Sequence, residues 1–142
     1  MDITPIAARL SAIANSVSAL KELQRLTYDE FARDHLLHAS AERDFQVAIQ
    51  AALDIGSMLL AALSPKIPES YKDIFAGLAE VDILPADFAQ KLVEMAKFRN
   101  VLVHMYLEVD LERMYHYLQH NLEDFELFAR YISETLAKTD KA

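Results

Sequence analysis

The stretch FQVAIQAALDIGSML, residues 45–59, decides the fold, because its apolar side chains recur at the spacing of one helix face. They follow one another at intervals of three and four residues, which is typical of a seam between packed helices. These residues are Phe45, Ala48, Ala52, Ile55 and Leu59. The stretch therefore predicts a long helix whose apolar face is buried against other helices.

The residues before this stretch predict one earlier helix and the start of the long one. Thr4 and Pro5 are typical of an N-cap followed by the first helical residue, and we predict a helix from there to about Leu26. Its apolar stripe is Ile6, Leu10, Ile13, Val17, Leu20 and Leu23. Residues 27–30, TYDE, have the capping-box spacing that starts a new helix. We predict that this second helix continues unbroken to about Leu63, where two prolines follow.

The residues after the prolines predict three further helices. A short helix is expected from Tyr71 to about Glu80, and Pro85 opens a helix that reaches residues 104–107. The buried stripe of that helix is Phe88, Leu92, Met95 and Leu102. Asp110 is the expected N-cap of one last helix. Its seam is Leu111, Met114, Leu118, Leu122, Phe125, Ala129 and Ile132.

Four main helices and one short helix predict an all-α antiparallel bundle. The 142 residues contain no internal repeat and no low-complexity linker, so we predict one helical domain over residues 1–142. The tail, residues 138–142, is expected to be frayed. A helical bundle hosts many functions, so this fold alone does not indicate the chemistry.

The composition excludes several classes of protein. The chain has no cysteine, which excludes a disulfide scaffold, a thiolate metal site and a cysteine nucleophile. It has no glycine-rich phosphate-binding loop of the kind found in proteins that hydrolyse ATP. Its N-terminus lacks the pattern of a signal peptide, and its most apolar stretch, residues 55–63, is shorter than the roughly 20 residues that span a bilayer. We therefore expect a soluble, cytoplasmic protein without a membrane partner.

The net charge of -8 opposes a simple role in binding nucleic acid. Affinity for phosphate normally comes from lysine and arginine. If RNA is the substrate, the basic residues must be gathered locally, or a partner must supply a basic surface.

Residues 99–106, RNVLVHMY, carry the candidate chemistry. Asn100 and His104 are four residues apart on one helix face, so Asn100 can orient the imidazole. Arg99 and His104 are five residues apart, or roughly 140° around an ideal helix. They can converge on one substrate only if the helix end is distorted or if a two-fold dimer brings two copies together.

RNA cleavage without a metal requires a proton-transfer group and a fixed cation, and histidine and arginine suit these two roles. The imidazole titrates near neutral pH and can move the proton of the 2′-hydroxyl or of the leaving oxygen, while a guanidinium stabilises the charge that builds on phosphorus. A dimer would provide two histidines and two arginines instead of one of each. The alternative is that such a pair arises by chance, since a histidine beside an apolar stripe is more often a packed residue.

The motif R-N-x-x-x-H-x-Y resembles the signature of the HEPN domain and, more narrowly, that of the HepT toxin family. The likeness extends to AERDFQVAIQAALDI at residues 41–55, to PESYKDIF at 68–75 and to FRNVLVH at 98–104. These segments lie in the family's order along nearly the whole chain.

The resemblance implies a homodimer with its active cleft at the dimer interface. It implies the toxin of a type II- or type VII-like toxin–antitoxin pair, a metal-independent endoribonuclease with no cofactor. Arg99 and His104 would be catalytic, and Asn100 would support them. It also implies a minimal nucleotidyltransferase (MNT) antitoxin that attaches AMP to Tyr106, which would block RNA by steric hindrance and by like charge.

Other candidate residues are weaker. Glu42 and Arg43 lie on the long helix that would line the cleft, where they could support Arg99 or contact RNA, although an internal ion pair is an equal alternative. Two histidine pairs could contribute to a metal site, but an exposed helix face is the favoured interpretation of both. These pairs are His35 with His38 and His116 with His120.

Two other functions remain open at this point. The acidic charge favours a non-catalytic nucleotide-binding module that acts only through its nucleotidyltransferase partner. A purely structural helical dimer is the third hypothesis. RNA cleavage that survives EDTA would favour the nuclease over both.

Overall fold

The computed structural model describes residues 1–104 and 110–140, and within these ranges the chain forms seven helices and no strand. The side chains at positions 101, 103, 104 and 140 also lie outside the description. The helices are α1 (Thr4–Leu23), α2 (Tyr28–Arg33), α3 (His35–Leu63), α4 (Tyr71–Glu80), α5 (Ala86–His104), α6 (Leu111–His120) and α7 (Leu122–Asp140). The predicted all-α class is confirmed.

The first helix begins and ends slightly differently from the prediction. Ile3 occupies the N-cap position and Thr4 is already helical, while the last helical residue is Leu23 instead of Leu26. The predicted capping box at the start of α2 is confirmed. The Thr27 hydroxyl accepts a hydrogen bond from the Glu30 amide (3.2 Å), and the Glu30 carboxylate accepts one from the Thr27 amide (2.9 Å).

The predicted unbroken helix over residues 28–63 is wrong, because the chain breaks at Asp34. This residue has an extended backbone (φ -105°, ψ 101°), and its carboxylate accepts hydrogen bonds from the amides of Leu36 (3.0 Å) and Leu37 (3.4 Å). A short acidic side chain that bonds to nearby amides favours a helix start over a helix interior. The break separates α2, whose Phe31 is fully buried, from α3.

The prediction of a single last helix is also wrong, because Asn121 separates α6 from α7. The backbone of Asn121 leaves helical geometry (φ -120°, ψ 4°), and its side-chain amide donates to Asp124 (3.2 Å). The predicted cap is confirmed, since the Asp110 carboxylate accepts from the amide of Arg113 (3.0 Å). Helix α7 continues past Lys138, where we expected the tail to fray, and residues 141–142 lie outside the description.

One cluster of buried side chains draws on all seven helices. The predicted seam of the long helix is confirmed, because all five of its residues are buried in α3. In α5 the predicted stripe is buried as well. Six phenylalanines dominate the cluster: Phe31, Phe45, Phe75, Phe98, Phe125 and Phe128. Of these six, only Phe45 and Phe125 were predicted to be buried.

Helix α3 is long and apolar enough, by length and composition alone, to cross a membrane. The expectation that no segment is long enough therefore needs this correction. In the bundle, however, α3 is the central helix, which packs against α1, α2, α4 and α5 and has ten buried residues. Its apolar composition is accounted for by this packing, as in the core helix of a soluble protein.

Candidate functional site

The position of Arg99 follows from the packing of the residue before it. Phe98 is fully buried, stacks on Tyr117 (ring centroids 4.2 Å apart, planes 8° apart) and meets Phe45 edge-on (5.4 Å). These two contacts fix the rotation of α5 about its axis. Because the next side chain lies about 100° further round, Arg99 emerges at the border of the core, facing α3.

A chain of hydrogen bonds joins Arg99 to the first helix. The Arg99 Nη2 atom donates to Oε1 of Gln50 (2.7 Å), and Nε2 of Gln50 donates to Oδ1 of Asp54 (2.8 Å). The other carboxylate oxygen of Asp54 accepts from Nε of Arg9 (3.1 Å), whose Nη1 donates to the carbonyl of Pro5 (3.1 Å). Four side chains on α1, α3 and α5 therefore form one continuous polar chain.

These residues line a cleft of about 400 Å³ between α1, α3 and α5. Its charged side chains are Arg9, Arg43, Arg99 and Asp54. Three arginines against one aspartate leave two positive charges in the cleft, although the whole chain carries -8. The local gathering of basic residues that an RNA substrate requires is therefore present around Arg99.

The Arg99 guanidinium has hydrogen-bonding capacity left over. Its Nε atom is shielded from water and has no hydrogen-bond partner in the described part of the chain. A buried donor without a partner costs free energy, and because this atom is shielded, a phosphate in the cleft would bind the terminal nitrogens of Arg99. A planar guanidinium binds phosphate oxygens through two parallel hydrogen bonds, so Arg99 has the chemistry of a phosphate-binding residue.

The other predicted residues of the motif lie at the end of α5. Asn100 is partly buried next to Arg99. His104 is the last residue of α5, and its side chain lies outside the described part, as does the whole of Tyr106. Because α5 remains helical from Arg99 to His104, unwinding between these positions does not bring them to one side of the helix. The contact predicted between Asn100 and His104 falls outside the description.

Of the two predicted cleft residues, the structure places only Arg43 in the cleft. Arg43 is exposed at its edge and makes no ion pair with any described residue. Glu42 does not line the cleft, and its carboxylate accepts a hydrogen bond from Gln46 (3.5 Å).

Three residues of the site were missed in the sequence: Arg9, Gln50 and Asp54. Gln50 and Asp54 are four residues apart on α3, a spacing that would have allowed the bond between them to be predicted. Arg9 has no such signal, since 45 residues separate it from Asp54.

Asp44 is the third acidic residue of α3, and it contacts α1 outside the cleft. Burial raises the pKa of its carboxyl group, while a hydrogen bond from Ser16 and the charge of Arg43 act in the opposite direction. Ser16 is the one polar residue of the described ranges that is counted as buried.

The two histidine pairs lie close together but lack further ligands. The ring centroids are 5.1 Å apart for His35 and His38 and 4.7 Å apart for His116 and His120. Within residues 1–104 and 110–140, no three histidine, cysteine, aspartate or glutamate side chains gather into a group that could hold a metal ion. His38 instead packs against the ring of Phe31.

Comparison with known proteins identifies the family. The family model for ribonuclease HepT-like proteins matches residues 13–132. The mRNA nuclease HepT of Shewanella oneidensis is 31% identical over 121 residues, which cover 84% of this chain and 91% of that protein. The tRNA nuclease HepT of Aphanizomenon flos-aquae is 26% identical over 131 residues, covering 92% and 89%.

A solved structure agrees with the sequence relatives. The tri-AMPylated HEPN toxin of Shewanella oneidensis, determined in complex with an MNT antitoxin, superimposes with a TM-score of 0.84. It is 28% identical to this chain and covers 94% of it, and the match extends over 99% of the toxin. The family predicted from the motif is confirmed by both kinds of comparison. The chain belongs to the ribonuclease HepT-like family.

Proposed function

We propose that this chain is a metal-independent endoribonuclease toxin that is silenced by a nucleotidyltransferase antitoxin. The observation that carries the proposal is the cleft, in which the Arg99 guanidinium and two further arginines create a positive site on an acidic chain. The family and the named activities of the two relatives support RNA as the substrate. The cytoplasm is the expected compartment.

Arg99 and His104 divide the chemistry between them. Arg99 binds the scissile phosphate and stabilises the negative charge that builds on its oxygens in the transition state. The imidazole of His104 takes the proton of the attacking 2′-hydroxyl or gives a proton to the leaving 5′-oxygen. The new bond joins the 2′-oxygen to phosphorus, and the bond to the 5′-oxygen breaks. Asn100 supports the site by orienting His104.

The residue spacing favours an active homodimer. Positions 99 and 104 are about 7.5 Å apart along α5 and about 140° apart around it, so one helix does not present both groups to one phosphate. With a two-fold axis beside the cleft, Arg99 and His104 of one site could come from different copies of the chain. In such a site the second histidine adds an acid to the base, so a site that keeps one histidine retains part of the activity.

The direct test is cleavage of single-stranded RNA in EDTA. Arg99→Ala and His104→Ala should each reduce cleavage by at least about 100-fold while helicity and melting temperature stay near those of the parent. If His104→Ala cuts RNA as fast as the parent, the assignment is wrong. Absence of cleavage by the parent at any concentration would favour the non-catalytic nucleotide-binding module.

A mixing experiment tests the dimer. Arg99→Ala and His104→Ala chains, each inactive alone, are co-expressed and purified as mixed dimers through two different tags. A shared site keeps one arginine and one histidine in a mixed dimer, so part of the activity should return. Mixed dimers as inactive as either parent variant would contradict a site shared between copies.

We also propose that Tyr106 is the site of silencing. Its phenolic oxygen attacks the α-phosphorus of ATP, pyrophosphate leaves, and AMP remains on the tyrosine. The added phosphate brings negative charge to the positive cleft and excludes RNA. After co-expression with the antitoxin, the intact mass should rise by one or more AMP units, and Tyr106→Phe should abolish the increase. An unchanged increase in that variant would assign the modification elsewhere.

A further inference from the structure

We infer that Gln50 is a positioning residue for Arg99, and that Asp54 and Arg9 fix its orientation. The inference rests on the proposed function, in which Arg99 binds the scissile phosphate. It is carried by the continuous hydrogen-bond chain from Arg9 through Asp54 and Gln50 to Arg99.

The carboxylate of Asp54 decides which end of the Gln50 amide faces Arg99. A glutamine amide offers an oxygen acceptor at one side and an NH₂ donor at the other. Because the carboxylate of Asp54 only accepts, it binds the NH₂ group (2.8 Å), and the amide oxygen is left facing Arg99 (2.7 Å). Arg9 in turn holds the second oxygen of Asp54 (3.1 Å), which fixes the carboxylate itself.

A neutral partner suits a residue that must bind phosphate. A carboxylate in contact with Arg99 would form an ion pair and compete with the substrate for the guanidinium. Gln50 instead holds only Nη2 through an uncharged oxygen, and the negative charge of the chain, on Asp54, is paired with Arg9. The guanidinium therefore keeps its full charge and has its plane fixed before RNA arrives. Such preorganisation lowers the barrier because the donor need not be reoriented in the transition state.

The experiment measures kcat and KM for RNA cleavage by Gln50→Ala. Loss of orientation acts on the transition state, so kcat should fall roughly tenfold to a hundredfold while KM changes little. Gln90→Ala is the matched control. Gln90 is an exposed glutamine of α5 outside the cleft, and its side-chain amide donates to Glu94 four residues further on, as that of Gln50 donates to Asp54. Its kcat should stay within about twofold of the parent, and both variants should melt near the parental temperature, since surface changes cost little.

A double-mutant cycle tests the role of Asp54. Gln50 and Arg9 donate to different oxygens of Asp54. Asp54→Asn replaces one of these oxygens by an NH₂ group, which cannot accept, so one of the two bonds is lost and kcat should also fall. If Asp54 acts through Gln50, Asp54→Asn should have no further effect on kcat in the Gln50→Ala background. Additive losses would show that Asp54 acts by another route and would overturn that part of the inference.

The outcomes separate this inference from the proposed function. If Arg99→Ala is inactive but Gln50→Ala keeps the parental kcat, the positioning role is refuted and the proposed function stands. If Gln90→Ala and Gln50→Ala lower kcat equally, the effect does not come from the contact with Arg99 and the positioning role is again refuted. If Arg99→Ala itself cleaves like the parent, the proposed function fails.

Discussion

Replacement of Arg43 by alanine tests whether local charge accounts for RNA binding by this acidic protein. Arg43 is an exposed cation of the cleft and has no ion-pair partner in the described residues, so its charge is available to phosphate. The side chain takes no part in the core. Its removal should therefore weaken RNA binding and leave stability almost unchanged.

The expected magnitude follows from counterion release. For single-stranded nucleic acid, each phosphate contact contributes about -0.7 to the slope of log K against log salt concentration. If Arg43 makes one contact, the slope for Arg43→Ala is shallower by about 0.7. Between 50 and 200 mM salt, the parent should then lose roughly 2.5-fold more affinity than the variant.

The assay is the fluorescence anisotropy of a labelled single-stranded RNA, with both proteins in the inactive His104→Ala background so that the probe stays intact. Arg130→Ala is the matched control, because it changes the net charge equally and lies on α7 in a different groove. If Arg43→Ala and Arg130→Ala change the slope by the same amount, net charge governs binding. The argument from the cleft would then be refuted.

Two further predictions concern the stability of the bundle. Gly56→Ala should lower the free energy of unfolding by about 1–3 kcal/mol, because its Cβ would clash with Cγ2 of Ile74 and approach Cδ1 of Leu78 to 3.3 Å. Adding Ile74→Leu, which removes the branch that carries Cγ2, should recover most of this loss in urea unfolding; no recovery would refute the clash. Asp44→Asn should raise the melting temperature at pH 7, because burial raises the pKa of Asp44 and so penalises its charged form. A raised pKa contributes stability below the unfolded value of 3.8, and this contribution is lost as the pH rises through the pKa of the folded state. The gain in melting temperature from Asp44→Asn should therefore shrink from pH 7 toward pH 4. An equal gain at both pH values would contradict this explanation.

The sequence was sufficient for the helical class and for most helix ends, because those depend on local signals. The capping box at Thr27 occupies four residues, and the apolar spacing of α3 repeats over several turns. The breaks at Asp34 and Asn121 were missed because the apolar pattern continues across both of them. At each break one polar side chain forms hydrogen bonds with neighbouring residues and interrupts the helix. The spacing of apolar residues does not reveal this local effect.

The site was predictable only where its residues are close in sequence. Arg99 was found through its motif, and Arg43 through its place on the long helix. Gln50 lies outside the apolar stripe of α3, on what the sequence indicates is an exposed face. Only its contact with Arg99, 49 residues away, assigns it to the site. The pairing of Arg9 with Asp54 depends in the same way on how α1 packs against α3. Distant pairs of this kind follow from tertiary packing and carry no local signal.

Net charge and local charge act over different distances, which is how an acidic chain can carry a phosphate-binding cleft. At physiological salt the Debye length is about 8 Å, so acidic side chains farther from the cleft than this act only weakly on a phosphate inside it. Direct contacts with Arg43 and Arg99 weaken with salt by a different route, the counterion release described above. The surplus of acidic residues should instead slow the approach of RNA at low salt, where the Debye length reaches about 30 Å at 0.01 M. Salt therefore has two opposite effects on this protein, and the comparison of Arg43→Ala with Arg130→Ala separates them, because both variants change the net charge equally.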